Sequence, residues 1–227
     1  MPRYLPHLFS TLIVAMLVLV NLGWRWASRK KSLPCPTAFA WFLENPLVQR
    51  LNGTRTTLER IGPRPGQRIL EIGPGPGRLL IPAAKMVQPG GEAVGIDIQS
   101  GMIDRLKARA EREGVTNLTT IVGDATQPHV PAASFDVVVM CTVVGEIPDR
   151  AAAFKQCYRA LKAGGILSIT EMIGDPHYQS QSTLRRLAEH EGFQLQSIRG
   201  HWWSFTANFT KREASTAVLS QQPAEAR

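Results

Sequence analysis

Beyond Gly66 the chain alternates short apolar runs with amphipathic ones, and this alternation restricts the fold more than any other feature of the sequence. Strands are expected at Arg68–Ile72, Ala93–Asp97, Leu118–Val122, Phe135–Cys141 and Ile166–Glu171. Helices are expected between them at Arg78–Val87, Met102–Glu113 and Ala151–Leu161, with Pro82 tolerated in the first turn of the first. A strand followed by a helix and a further strand gives parallel pairing, with helices covering both faces of the sheet. Phe135–Cys141 is apolar almost throughout, as a central strand buried on both sides must be. A last helix is expected at Ser182–Glu191, and Phe193–Arg199 with Ser204–Lys211 reads as a closing antiparallel pair.

The first strand runs directly into Glu71-Ile-Gly73-Pro-Gly75-Pro-Gly77-Arg. Glycines at this point let the backbone turn sharply and approach a ligand, while the next helix aims its N-terminal amides at an anion. A dinucleotide fold uses the same device, but its G-x-G-x-x-G spacing requires glycine where this chain has Arg78. Asp97 ends the second strand in VGIDIQ, where one carboxylate can accept from both hydroxyls of a ribose. As a helix cap it would be redundant, since Ser100 can cap by itself. Gly123-Asp124-Ala125 follows the third strand, and an Asp in such a turn also has backbone reasons to be there. Phe135-Asp136-Val-Val-Val-Met140 and Tyr158-Arg-Ala-Leu-Lys162-Ala-Gly-Gly165 complete the series, with Asp136 read as structural.

Taken in order, these strings resemble the motifs of class I S-adenosylmethionine-dependent methyltransferases, in the branch of the ubiquinone/menaquinone C-methyltransferases and small-molecule or thiol methyltransferases. Motifs support the resemblance over residues 66–172, and the order of elements continues to 211. It implies an α/β, Rossmann-like sheet of seven strands in the order 3-2-1-4-5-7-6, with strand 7 antiparallel. It implies S-adenosylmethionine as cofactor, held by Glu71, Gly73, Gly75, Gly77, Asp97, Ile98, Asp124, Ala125 and Cys141. It also places the methionine part of the cofactor on the glycine loop and the adenine amino group near Asp124. One departure excludes a branch of the family. Enzymes that methylate amino groups of nucleic-acid bases carry Asn/Asp-Pro-Pro-Tyr/Phe after the fourth strand, where this chain has CTVVGEIPD.

Methyl transfer from a sulfonium is an in-line displacement in which alignment in a dry pocket does most of the work. Side chains that could activate an acceptor stand at strand ends. They are Glu146 after the fourth strand, Glu171 at the end of the fifth, and His177 and Tyr178 in the loop that follows. The sequence leaves His201-Trp202-Trp203, in the closing hairpin, equally able to line a pocket, meet a membrane or cap the core.

The N-terminal region is of another kind. From Leu8 to Trp24 no residue is charged, and the run is followed by Arg25, Arg29, Lys30 and Lys31. As a helix its seventeen residues cover roughly 25 Å, slightly less than a hydrocarbon core of about 30 Å, and flanking Leu5, Pro6, Trp24 and Trp26 can make up the difference. Only Arg3 precedes it and no A-x-A site follows, so an uncleaved membrane anchor is expected, with the basic flank and the catalytic domain on the cytoplasmic side. Charge agrees with that division. Residues 1–66 hold nine Lys/Arg against Glu44 and Glu59, a net +7 of the chain's +8. The basic excess therefore suits anionic lipid headgroups rather than nucleic acid. Cys35, Cys141 and Cys157 are scattered, without CxxC pairs or histidines at ligand spacing, which disfavours a disulfide framework or a structural metal.

Residues 1–31 are thus expected to be the anchor, 32–66 a linker with helices at 38–43 and 46–61, 67–211 the methyltransferase domain, and 212–227 a tail. The expected activity is methyl transfer to a hydrophobic small molecule, such as a quinone, a lipid or a thiol, at a membrane surface. Two rivals are a cofactor-binding membrane scaffold without catalysis and, against the glycine spacing, a nicotinamide-dependent oxidoreductase.

Overall fold

The computed structural model describes residues 53–127 and 130–211, together with Met16, Leu19, Gly23, Arg25 and Trp26. The expected anchor, the helices before residue 53 and the tail after 211 lie outside the described residues, apart from those five positions. Among the described residues no helix is long and apolar enough to cross a membrane.

Seven strands form one sheet in the order β3-β2-β1-β4-β5-β7-β6. They are β1 (Arg68–Ile72), β2 (Glu92–Asp97), β3 (Leu118–Val122), β4 (Phe135–Cys141), β5 (Leu161–Met172), β6 (Phe193–His201) and β7 (Ser204–Lys211). The first five pair in parallel, whereas β7 runs antiparallel to both β5 and β6. This is the topology the motifs imply. Helices at Leu80–Met86, Ser100–Arg112, Arg150–Ala160 and Gln181–His190 connect the strands.

Burial follows from position in the sheet. Central β4 hides Val137, Val138, Val139 and Met140 almost completely, so its side chains serve the cores on both faces. The helix Ser100–Arg112 buries Met102, Ile103, Leu106 and Ala110, a spacing of three to four that marks one face. Polar pairs stitch the far half of the sheet together. Ser168 donates to Asn208 at 2.7 Å, Thr170 and Thr206 share a hydrogen bond of 2.9 Å, and the Asn208 amide donates to the Arg60 carbonyl at 3.0 Å. The last bond ties the helix Thr54–Ile61 to the sheet. Asp136 does the same for the start of β1, accepting from the Arg68 amide at 2.8 Å and from Lys162 Nζ at 2.7 Å. Burial alone would push Asp136 upward, but the Lys162 ammonium and the Arg68 amide hold it below the usual carboxylate range. Its role is structural, as the sequence suggested.

Of the helix expected over 46–61, the described residues show Thr54–Ile61, preceded by Gly53 in the left-handed region at φ 65. Two local expectations are corrected. Strand β5 begins at Leu161 rather than Ile166. Its pairing with β4 jumps from Phe135↔Leu161 to Val137↔Ile166, so Ala163-Gly164-Gly165 forms a bulge inside the strand instead of a turn before it. Ser100 is the first residue of its helix, preceded by Gln99, and no side chain caps that end.

Candidate functional site

In an open parallel sheet, ligands bind beyond the carboxyl ends of the strands, where the chain order reverses. Here β1 has β2 on one side and β4 on the other, and the reversal falls beside β1. A cavity of about 310 Å³ opens at that edge. Its wall takes in Glu71, Gly73 and Gly75 from the end of β1, Asp97 and Ile98 from β2, Asp124 and Ala125 after β3, and Cys141 at the end of β4. All eight were singled out in the sequence. The ninth, Gly77, does not line the cavity.

The three glycines do different work. All have positive φ, at 67°, 53° and 84° for Gly73, Gly75 and Gly77, so each favours a residue without Cβ. A Cβ on Gly77 would run into Leu106 and lie 2.9 Å from Ile81 Cδ1, so this glycine lets the loop lie flat on the helices beneath it. A Cβ on Gly73 would stand 2.5 Å from Val143 Cγ2, in the loop after β4. A Cβ on Gly75 would meet nothing within 4 Å. Gly75 therefore keeps open the space that a ligand would fill.

Asp97 braces this loop. Its Oδ2 accepts from the Gly75 amide at 3.1 Å and its Oδ1 from the Gln99 amide at 2.9 Å. Burial raises its pKa and outweighs those two bonds. Glu71 lies deeper and is 3% exposed. Burial, opposed by Arg78 and aided by Asp97, raises it to about 8. Arg78, the residue that breaks the dinucleotide pattern, lines the same cavity, and its guanidinium donates to Cys141 Sγ at 2.9 Å and to Thr54 Oγ1 at 3.3 Å. Asp124 Oδ1 accepts from the amide and the hydroxyl of Thr126, both at 2.8 Å, so it also organises its own turn.

On the opposite side the loops after β4 and β5 meet. Gly145 lies so close to His177 that an added Cβ would collide with the His177 carbonyl. This contact brings His177 Nδ1 to 3.8 Å from both Glu146 Oε1 and Asp175 Oδ1. Glu146 and Asp175 line the cavity, and His177 stands behind them, buried, with no hydrogen-bond partner for Nε2 among the described residues. Burial, then Arg150, lowers the His177 pKa, so the ring is neutral near pH 7. Burial raises Asp175 to about 6. Glu171 is pushed well above the ordinary carboxylate value by burial, accepts from the Gln179 amide at 3.2 Å and does not line the cavity. Tyr178 is outside it too. Its hydroxyl donates to the Trp202 carbonyl at 2.5 Å, and its ring stands edge-on to Phe205.

Several wall residues escaped the sequence reading. Asp175 lay in a loop without a motif, and Met102 looked like any core position of its helix. Thr142 carried no signal at all. It sits directly after β4 with φ 51, a conformation rare for a β-branched residue, and its amide donates a hydrogen bond to the Thr170 carbonyl at 2.9 Å. Strain of this sort gathers at ligand sites.

The residues present fit S-adenosylmethionine. Glu71 and Asp97 offer negative charge to a ligand bearing an ammonium and a sulfonium, and Asp97 can also receive ribose hydroxyls. Ile98, Met102 and Ala125 give an apolar wall for a base, and the space beside Gly75 admits close backbone approach. When bound, the cofactor supplies an electrophilic methyl group on sulfur. Among the described residues no cluster of three or more His, Cys, Asp or Glu could hold a metal ion.

A pH dependence follows. With Glu71 at about 8, most empty sites hold it protonated at pH 7, and a cationic ligand favours its ionised form. Affinity for S-adenosylmethionine should therefore rise with pH and level off above 8. Titration calorimetry near pH 7 in buffers of different ionisation enthalpy should show protons released on binding. The same linkage sets stability. A carboxylate whose folded pKa is raised makes the empty fold progressively less stable from the unfolded value near 4.5 up to about 8. Binding without proton release would mean that the ligand leaves Glu71 unaffected.

Comparison with known proteins agrees with this geometry. Residues 69–165 match the family described as "Methyltransferase domain". Nocamycin O-methyltransferase of Saccharothrix syringae is 37% identical over 122 residues, covering 54% of this chain and 44% of the relative. The ubiquinone/menaquinone biosynthesis C-methyltransferase of Ectopseudomonas mendocina is 35% identical over 118 residues, covering 52% and 46%. The chain thus spans about half the length of the curated relatives it matches. A crystal structure of a SAM-dependent methyltransferase from Aquifex aeolicus shares the fold with a TM-score of 0.71 at 18% identity, covering 78% of this chain and 99% of that one. Residues 69–165 thus match a methyltransferase domain, within a seven-stranded sheet that shares the fold of the Aquifex aeolicus SAM-dependent methyltransferase.

Proposed function

We propose that the chain transfers a methyl group to a hydrophobic small molecule, such as a quinone, a lipid or a lipophilic thiol, at a membrane surface. The observation that carries this reading is the two-sided cavity. One side has the acids and glycines suited to the cofactor. The other has Glu146 and Asp175 set among Val143, Ile147 and Pro148. Such a wall suits an apolar acceptor and excludes water from the reacting atoms. Relatives named for nocamycin and for ubiquinone and menaquinone support the substrate class.

An acceptor that takes the methyl group which the bound cofactor would supply must give up a proton. In this reading Glu146, in the cavity wall, takes it, with His177 Nδ1 3.8 Å behind. Glu71, Gly73, Gly75, Asp97, Ile98, Asp124, Ala125 and Cys141 form the cofactor wall in this reading. Gly77 supports it from below. Residues 8–24 anchor the protein, and the basic flank from Arg25 keeps the domain on the cytoplasmic side.

The test pairs two assays on the full chain. Incubation with methyl-labelled S-adenosylmethionine and a membrane lipid extract should move label into the organic phase, and Glu146→Gln should slow that transfer without changing cofactor affinity. The membrane-bound protein should resist high-salt and carbonate washes, since apolar burial is not screened by ions. Label appearing only in water-soluble products would reject the substrate class. Release by salt alone would reduce residues 1–31 to a peripheral basic arm.

A further inference from the structure

The tip of the β6–β7 hairpin is apolar, aromatic and in the open. Trp202 is 64% exposed and Trp203 47%, the largest apolar side chains displayed by the domain. They are ordered against each other rather than against the core. Trp203 stacks on His201 at 4.4 Å, and Trp202 stands edge-on to Trp203 at 5.8 Å. Tyr178 hydrogen-bonds the Trp202 carbonyl from beneath, so the tip is held outward by the fold.

Its neighbours identify what it faces. The Trp203 carbonyl accepts from the Ile173 amide at 2.7 Å, joining the tip to the loop after β5. The Arg25 guanidinium donates to the Ile173 carbonyl and, at 3.0 Å, to the Asp175 carbonyl on that same loop. Arg25 is the first charge after the uncharged run 8–24, and Trp26 beside it is 62% exposed. Arg25, at the end of the apolar segment, is therefore fastened to the loop that the aromatic tip is hydrogen-bonded to. That loop also carries Asp175, in the cavity wall.

We infer that Trp202 and Trp203, with Ile173 and Trp26, form an interfacial contact with the lipid bilayer that seats the cavity mouth at headgroup level. Tryptophan, with an apolar body and a polar N–H, favours that level, and an arginine there keeps its charge among headgroups and carbonyls. An acceptor dissolved in the acyl region then reaches the cavity without crossing water. The inference rests on the anchoring of residues 8–24 proposed above, but it concerns a second, separate contact made by the folded domain.

The test uses full-chain protein with Trp24→Phe, Trp26→Phe and Trp41→Phe, which leaves Trp202 and Trp203 as the tryptophan reporters. It is mixed with vesicles of phosphatidylcholine and phosphatidylglycerol, with and without acyl chains brominated near the carbonyl, and floated on a density gradient. The expected result is flotation together with a blue shift of the emission, loss of quenching by iodide, and gain of quenching by the brominated lipid. Flotation with emission still open to iodide and unaffected by bromine would overturn the hairpin contact while leaving the anchor intact. Failure to float would remove the anchor and the inference with it. Shielding from iodide without vesicles would mean that protein, not lipid, covers the tip, and would also overturn it. Trp202→Ser with Trp203→Ser should leave flotation unchanged, since neither side chain supports the core.

Discussion

Replacing Asp97 with alanine should weaken S-adenosylmethionine binding by about 2–3 kcal/mol, the scale expected when charge-assisted hydrogen bonds are lost. That is roughly a 30- to 150-fold increase in Kd. The carboxylate does two things in the empty protein that bear on this number. It accepts from the Gly75 amide at the turn of the glycine loop and from the Gln99 amide before the next helix. Alanine therefore removes a ligand group and a brace together, and Asp97→Asn separates them. The amide can still accept from one backbone N–H while losing the negative charge, so its loss of affinity should be smaller. Titration calorimetry on the full chain in detergent, with circular dichroism to establish the fold, measures both variants. Unchanged affinity in Asp97→Ala would take Asp97 out of the site.

The second large effect concerns two glycines only two residues apart, which should fail in opposite ways. Gly77→Val forces a side chain into Leu106 and Ile81 at a backbone φ of 84°, so overpacking and left-handed strain add. Together they should cost roughly 2–5 kcal/mol of folding stability. That is a large part of what a domain typically has. Gly75→Val places its branches where nothing lies within 4 Å, so the fold should survive with a modest strain penalty. Cofactor binding should nonetheless be lost, because the branches take up the space beside the loop. Urea unfolding and calorimetry on the pair make the comparison. A destabilised Gly75→Val or a stable, ligand-free Gly77→Val would reverse the assignment of roles.

The sheet was readable in the sequence because its strands are short, apolar and punctuated by glycine, and because helical spacing between them is unambiguous. Ser100–Arg112 illustrates the point, with one face of Met102, Ile103, Leu106 and Ala110 and a polar remainder. Elements were misjudged where glycine has more than one use. Gly164-Gly165 looked like a turn between helix and strand, but they belong to β5, which absorbs the extra residues as a bulge.

The cofactor side of the cavity was legible for the same reason as the sheet. Its residues stand at strand ends, and strand ends follow from local pattern. Which of them point into the cavity was not legible, since Gly73, Gly75 and Gly77 have the same chemistry and differ only in what lies opposite. The acceptor side depends on two loops meeting, through the close contact of Gly145 and His177. No spacing in the sequence encodes that contact. Hence Asp175 was passed over, while Tyr178, in the same loop, turns away to the hairpin.

The most direct measurement is a crystal structure of the protein grown with S-adenosylhomocysteine, the demethylated product of the cofactor. The account predicts the ligand in the cavity at the ends of β1, β2 and β4, with ribose hydroxyls on the Asp97 carboxylate, backbone approach at Gly75, and sulfur facing the side that holds Glu146. Ligand density elsewhere on the molecule, or in this cavity without contact to Asp97 and the glycine loop, would contradict it.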